Sequence, residues 1–235
     1  MKRKTLTVLL ENFGQRYSRV LGVNLRNGSD EEIFKWFLAS ILFGAPISET
    51  SVIKTYKCFQ KHRVLTSEGI LGTGWNGLVR ILDEGSYTRY DFKTADKLLE
   101  VMQNLKKKYN GSLNLLHNKA LGPRDLEHRV KELGKGIGDV TVNIFLRELR
   151  DIWEKAEPNP IGLVNSAAKN LEIVKADAAE NALEQLEVFW AKNKVPKESF
   201  INFETALLRL GKDFCRKGKC DSCPVKSDCL NPKVP

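Results

Sequence analysis

Leu126-Glu127-His128-Arg129-Val130-Lys131-Glu132-Leu133-Gly134-Lys135-Gly136-Ile137-Gly138-Asp139-Val140-Thr141-Val142-Asn143-Ile144 is the stretch on which the fold turns. Leu126, Val130 and Leu133 form an apolar stripe at helical spacing that stops at Gly134. Asp139 suits an N-cap, and Val140, Ile144, Leu149 and Trp153 resume a stripe, so the run from about 126 to 153 reads as two helices joined by a short glycine turn. Glycine there lets the backbone take positive φ and lets a ligand approach bare amides. With the positive end of the next helix beside it, such a turn suits a phosphate. An ordinary helix–helix corner is the alternative.

Working outward, the rest of the chain repeats the helical period. Ser29 followed by Glu32 makes a capping box for a helix carrying Ile33, Phe34, Phe37, Leu38, Ile41 and Leu42. Pro46 ends that segment, and a second helix is predicted from Glu49 through Phe59. Gly69 to Gly77 holds four glycines and reads as a loop. Amphipathic stretches follow from about Thr94 to Tyr109, Leu126 to Leu133 and Val140 to Trp153, with two more after Asp177 and after Pro196. Long alternating runs of β-branched residues are missing, so the fold class is all-α. Glu157-Pro158-Asn159-Pro160 is the linker candidate, because two prolines cannot continue a helix.

Lys and Arg outnumber Asp and Glu by 38 to 29, a formal charge of +9. That excess favours polyanionic partners, nucleic acid first, and turns the reading of the glycine hairpin toward the DNA backbone. An apolar share of 42% argues against disorder. Met1-Lys2-Arg3-Lys4 and the stretch from Leu6 to Leu10 imitate a signal peptide, but the apolar run is short and Glu11 interrupts it. No run approaches the roughly 18 apolar residues that cross a membrane. A cytoplasmic, nucleoid-associated protein is expected, where structural disulfides are rare.

Four of the five cysteines, Cys215, Cys220, Cys223 and Cys229, share the spacing C-x4-C-x2-C-x5-C. Thiolate ligands must converge on one centre, and a short loop with a C-x2-C turn achieves this. Zinc and a [4Fe–4S] cluster both accept four thiolates, and disulfides are a third reading. Cys58, between Tyr56 and Phe59, reads as a core thiol. His62, His117 and His128 show no ligand spacing among themselves. Lys106-Lys107-Lys108 reads as a solvated helix face.

The hairpin and the cysteine loop, in this order, resemble the endonuclease III branch of the helix-hairpin-helix DNA glycosylases, over about Ser29 to Cys229. Gly134 to Thr141 resembles that family's L-P-G-V-G-x-K-T hairpin, with Gly134 and Lys135 where the family has leucine and proline. The tail resembles its iron–sulfur loop, C-x6-C-x2-C-x5-C, here two residues shorter in the first gap. Ala39 to Leu42, on through Val52 and Lys54, resembles its first core helix and the following loop. The resemblance implies a six-helix barrel domain over 29–156, and a second helical domain built from 1–28 and 157–235 that bears a [4Fe–4S] cluster, with zinc as the alternative. It implies a monomer on damaged double-stranded DNA whose target base is flipped into a pocket. Gly134, Lys135, Gly136, Gly138 and Thr141 would meet the DNA backbone. Arg216, Lys217 and Lys219 on the cysteine loop would meet phosphates.

The family's chemistry does not carry over residue for residue. Its lysine nucleophile falls at Val140, and Pro160-Ile161-Gly162-Leu163-Val164 holds no acid where its aspartate belongs. Its gap-filling glutamine is replaced by Ala45 or a neighbour. Glu132, four before Gly136, takes the place of an acidic pocket residue, and Asp139 and Lys135 are further catalytic candidates. Glu154 and Glu157 precede the linker and are candidates for the vacant aspartate. Tyr87, Arg89 and Tyr90 align with a family loop that inserts a side chain into the base stack, where aromatic and guanidinium planes wedge or stack. Core packing of the tyrosines is the alternative. The resemblance thus implies a glycosylase or abasic-site lyase with atypical catalytic residues, or a noncatalytic module that reads damaged DNA.

Overall fold

Ser29 accepts the Glu32 amide at 3.4 Å and opens α3, Asp30–Phe43. Only half of the expected capping box forms, because the Glu32 carboxylate turns to the Asn24 amide at 2.6 Å. Ile33, Trp36, Phe37, Leu38, Ala39, Ile41 and Leu42 are all buried on α3. A helix apolar on every side belongs at the centre of a core. Ser48 caps α4, Glu49–Lys61, through the Ser51 amide at 3.1 Å.

The computed structural model describes residues 1–175 and 181–230, and no strand occurs among them. Two short helices precede α3, namely α1, Arg3–Phe13, and α2, Tyr17–Val20. After α4 come α5, Ser67–Glu84, α6, Asp91–Tyr109, α7, Leu113–Lys119, α8, Pro123–Lys131, and α9, Asp139–Arg147. The last three are α10, Gly162–Asn170, α11, Ala182–Asn193, and α12, Phe200–Leu210. Asp177, behind which a helix is predicted, lies outside the described residues; the helix itself is α11.

The stretch from Gly69 to Gly77 is helical, not a loop. Thr66 caps it through the Gly69 amide, and Ile70, Leu78, Val79, Ile81 and Leu82 are buried. The glycines register only as a break at Gly74, whose φ of 64° and ψ of 175° interrupt the helix. Burial of the flanking apolar residues outweighs the propensity cost of about 1 kcal/mol per glycine. The signal-like stretch at the N-terminus becomes α1, with Leu6, Leu9 and Leu10 buried.

The chain divides into two units, Ser18–Pro158 and Met1–Tyr17 with Asn159–Pro235, here the hairpin unit and the terminal unit. The division falls within the predicted proline linker and, at the other end, nearer the N-terminus than residue 28. Three bonds explain the earlier boundary. The Ser18 amide donates to Glu148 at 3.1 Å, the Asn24 amide to Glu32, and the Asn114 side chain to the Gly28 carbonyl at 2.9 Å.

Within the hairpin unit, helices adjacent in sequence pack in turn from α3 to α9, and α9 returns to α3, so the contacts close a circuit. Trp36 donates its indole N–H to the Phe145 carbonyl at 3.0 Å, and the Phe37 and Phe145 rings lie 4.9 Å apart. The terminal unit packs α1 and α10 on α12. Phe189 and Trp190 of α11 stack on Phe203 at 5.6 and 5.5 Å. No described helix is long and apolar enough to cross a membrane.

Candidate nucleic-acid interface and metal centre

The hairpin forms as α8, a turn and α9. Pro123 starts α8, and the Asp125 carboxylate accepts the Leu121 amide and the Arg129 guanidinium, both at 2.8 Å. Leu126, Val130, Leu133 and Ile137 are buried and fix the turn to the unit. Two glycines have separate structural reasons. A Cβ on Gly134 would stand 2.7 Å from the Val101 side chain, so glycine permits the close approach to α6. Gly136 sits at φ +83°, in the left-handed region.

The buried stripe of α9 differs from the one predicted. Val142, Phe145, Leu146 and Leu149 face inward, whereas Val140 is 54% exposed. The Phe145 contacts with Trp36 and Phe37 set the rotation of the helix. Gly138, not Asp139, is the N-cap, and it offers no side-chain acceptor to the first turn. Asp139 is the first helical residue, and its exposed carboxylate pairs with Lys131. The first amides of α9 therefore lack a side-chain cap, in a turn whose Lys135, Gly136, Gly138 and Asp139 are exposed.

The other predicted residues divide by burial. Thr141 is buried, and its hydroxyl sits where a Cβ on Gly44 would collide with it, so its side chain braces α9 against the end of α3. Lys135 is exposed, and its amide donates to Glu100 at 3.1 Å. Glu132 is an exposed C-cap of α8, 3.7 Å from His128. Tyr87 is buried and donates its hydroxyl to the Leu42 carbonyl at 2.6 Å, which is the packing alternative. Arg89 is exposed and lies 5.5 Å over the half-buried ring of Tyr90. Glu154 and Glu157 are exposed. Of the histidines, His62 bonds Glu84 at 2.6 Å, and His117 is buried and stacks on Trp153 at 4.8 Å.

Two side chains of the hairpin unit carry no motif in sequence. Lys97 of α6 lies under the turn, where a Cβ on Gly136 would stand 2.9 Å from its Cε. Partial burial lowers its pKa. Arg147, on α9, is wholly buried, and none of its three guanidinium nitrogens meets a hydrogen-bond acceptor.

The cysteine loop begins where α12 widens into a π-helical turn, Gly211–Cys215. A Cβ on Gly211 would collide with the Leu163 carbonyl of α10. Cys223 donates its amide to the Cys220 carbonyl at 3.1 Å, which is the C-x2-C turn. Lys226–Asp228 forms a 3-10 turn, and the Cys229 amide returns to Lys226 at 3.1 Å. Asp228 accepts the Lys2 amide at 2.8 Å. All five cysteines are free: Cys58 is buried among core residues, and the other four are half-buried.

Burial pushes the Cys215 and Cys223 thiols up, and neighbouring cysteines add to the rise. Among the described residues, no three His, Cys, Asp or Glu side chains are gathered tightly enough to hold a metal ion. A soft, all-thiol donor set suits iron–sulfur or zinc. Arg216, Lys217 and Lys219 are exposed on the same loop, with Lys217 3.0 Å from Asp213.

No family model matches the chain, and no curated protein matches it in sequence.

Proposed function

We propose that this is a DNA repair protein of the endonuclease III-like helix-hairpin-helix kind. It binds damaged duplex DNA through the Gly134–Thr141 turn and acts as a glycosylase or abasic-site lyase with atypical catalytic residues. One observation carries the reading: a turn in which Gly136 and Gly138 are exposed and Gly134 is buried opens a helix that lacks a side-chain cap, on a chain of charge +9. The uncapped first amides of α9 and its helix dipole favour a phosphate without regard to base sequence. Thr141 then contributes its backbone at the turn and its side chain to the packing beneath.

The all-thiol donor set of the terminal unit supports a [4Fe–4S] cluster, which Cys215, Cys220, Cys223 and Cys229, each half-buried and free of disulfides, would hold. A cluster puts each thiolate on its own iron and tolerates a wider ring of sulfurs than one zinc ion, the alternative. Its chemistry when bound is to draw the loop together. Arg216, Lys217 and Lys219 would then be held toward phosphates. A monomer in the nucleoid suits this assignment.

The engine is the open part. Val140 is exposed at the position of the family nucleophile and has no nucleophilic atom. Glu132 and Asp139 are both solvated, and Lys135 carries the one exposed amine of the turn itself. That favours, as a second reading, a noncatalytic module that recognises damaged or distorted DNA.

Duplexes bearing abasic sites, uracil, oxidised bases and mismatches, incubated with the protein and borohydride, separate the two. Base release, strand cleavage or a trapped adduct supports the enzyme. Tight binding with none of these across the panel leaves the module. Trapping that survives Lys135→Ala excludes that amine. Failure to bind any duplex, with no dependence on salt, would sink both.

A further inference from the structure

One face of α6 runs along the hairpin turn, and residues at helical spacing on it meet successive backbone groups of the turn. Lys108 donates its ammonium to the Glu132 carbonyl at 3.4 Å, and Asn104 its side-chain N–H to the Leu133 carbonyl at 2.9 Å. Both carbonyls lie just past α8, beyond the reach of that helix's own amides. One turn further along the face, Glu100 accepts the Lys135 amide at 3.1 Å. Donors therefore meet carbonyls and the acceptor meets an amide, in register with the chain.

Lys97 is the fourth member of this row. Its Nζ lies 3.3 Å and its Cε 2.9 Å from where a Cβ on Gly136 would stand. No acceptor among the described residues meets its half-buried ammonium. Gly136 comes two residues before Gly138, the N-cap of α9, whose first amides have no side-chain acceptor either. The nearby acids are engaged: Asp139 pairs with Lys131, and Glu100 holds the Lys135 amide. A half-buried cation beside the positive end of a helix is unfavourable alone, through lost water and through the dipole. An anion placed between the two converts both costs into attraction. A phosphodiester suits the position, because it carries one charge on two free oxygens, one for the amides and one for the ammonium.

We propose that Lys97 is a phosphate-binding residue of the hairpin turn: α6 splints the turn at Glu132, Leu133 and Lys135, and carries Lys97 past Gly136 to the duplex phosphodiester that the first amides of α9 hold. The inference rests on the phosphate-binding turn proposed above. It adds the positive charge that bare glycine amides cannot supply.

The test is equilibrium binding of the full-length protein to one undamaged and one abasic duplex over a series of salt concentrations. Parent, Lys97→Met, Lys97→Gln, Lys97→Arg and Lys106→Met are compared. Lys106 is exposed, about half a turn round α6 from Lys97, and controls for the loss of one charge. Each phosphate contact contributes about −0.9 to the slope of log K against log salt. Lys97→Met and Lys97→Gln are expected to make that slope shallower by about one, and equally so on both duplexes. Lys97→Arg and Lys106→Met are expected to keep the parent's slope.

An unchanged slope in Lys97→Met and Lys97→Gln would overturn the assignment even where affinity falls, since a residue that only shapes the turn shifts the intercept alone. An equal loss of slope in Lys106→Met would overturn it too, because net charge would then account for the effect. Should Lys97→Met fail to fold, the slope of Lys97→Gln decides. A parent protein that binds neither duplex, or binds without salt dependence, removes the phosphate-binding turn itself, and this is known before any variant is measured.

Discussion

Arg147 is a wholly buried cation none of whose nitrogens meets an acceptor. Such burial opposes folding, because the guanidinium surrenders water and receives nothing comparable. Buried ionic groups replaced by apolar side chains of similar volume are often stabilising by about 1–4 kcal/mol. Arg147→Met is expected to gain stability in that range, read as a raised urea midpoint with an unchanged m-value. A midpoint at or below the parent's would show that the guanidinium is compensated in solution. Lys97 poses a milder version of the same problem and has a pH signature. Burial lowers its pKa in the folded state, so the ammonium costs most where both states are charged. As pH rises above the folded pKa toward the unfolded value of about 10.4, the unfolded chain holds the proton and the folded chain has released it. Stability from this group therefore rises with pH over that window. Lys97→Met should remove the rise, and parallel pH–stability curves for parent and variant would contradict it.

At the scale of elements, what could be read locally was legible and what depends on a distant neighbour was not. Ser29 announces α3 because a cap is a contact over three residues, and α4 starts at Glu49 as expected. The glycine turn after Leu133 and the proline linker at Pro158 are equally local signals. Gly69 to Gly77 misled because composition suggested a loop, while Ile70 and Leu78 settle the matter by where they are buried. The inward face of α9 was misjudged because Phe145 is oriented by Trp36 and Phe37, more than a hundred residues earlier. The packing of α10 on the π-helical turn gives a test at this scale. A Cβ at Gly211 meets the backbone carbonyl of Leu163, which cannot swing aside as a side chain would. Gly211→Ala should cost about 1–3 kcal/mol as an overpacking strain and weaken metal retention, seen together by thermal unfolding and iron content. Gly138→Ala, where an added Cβ meets nothing, is the matched control: it should leave iron content unchanged and cost stability only the small N-cap difference between glycine and alanine.

For the whole molecule, the consequential fact is that the terminal unit takes its first helix from one end of the sequence and its remainder from the other. Its core cannot close until α1 finds α12, so it pays the loop-closure entropy of the entire hairpin unit between them. The hairpin unit is continuous from Ser18 to Pro158, and each helix from α3 to α9 packs on its sequence neighbour, with α7 and α9 both returning to α3. Stability should therefore be separable. Leu9 is wholly buried on α1, which packs on α12, and Phe13 of the same helix lies 5.4 Å from Phe214 beside Cys215. Leu9→Ala leaves a cavity and should cost the terminal unit about 2–5 kcal/mol. If the cysteine site is braced by that core, iron loss should accelerate in the same variant. The hairpin unit should keep its own unfolding transition, because none of its core residues has been altered. Calorimetry on the reconstituted protein, with hydrogen exchange followed separately in α12 and α9, distinguishes the cases. A single transition lowered as a block, with α9 amides losing protection as fast as those of α12, would mean that the two units unfold as one. In that event the cysteine loop would stabilise the hairpin unit through the cooperativity of the chain. Separate transitions would confine the effect of the loop to its own unit and leave the hairpin unit, with its proposed phosphate site, folded after the proposed metal is removed.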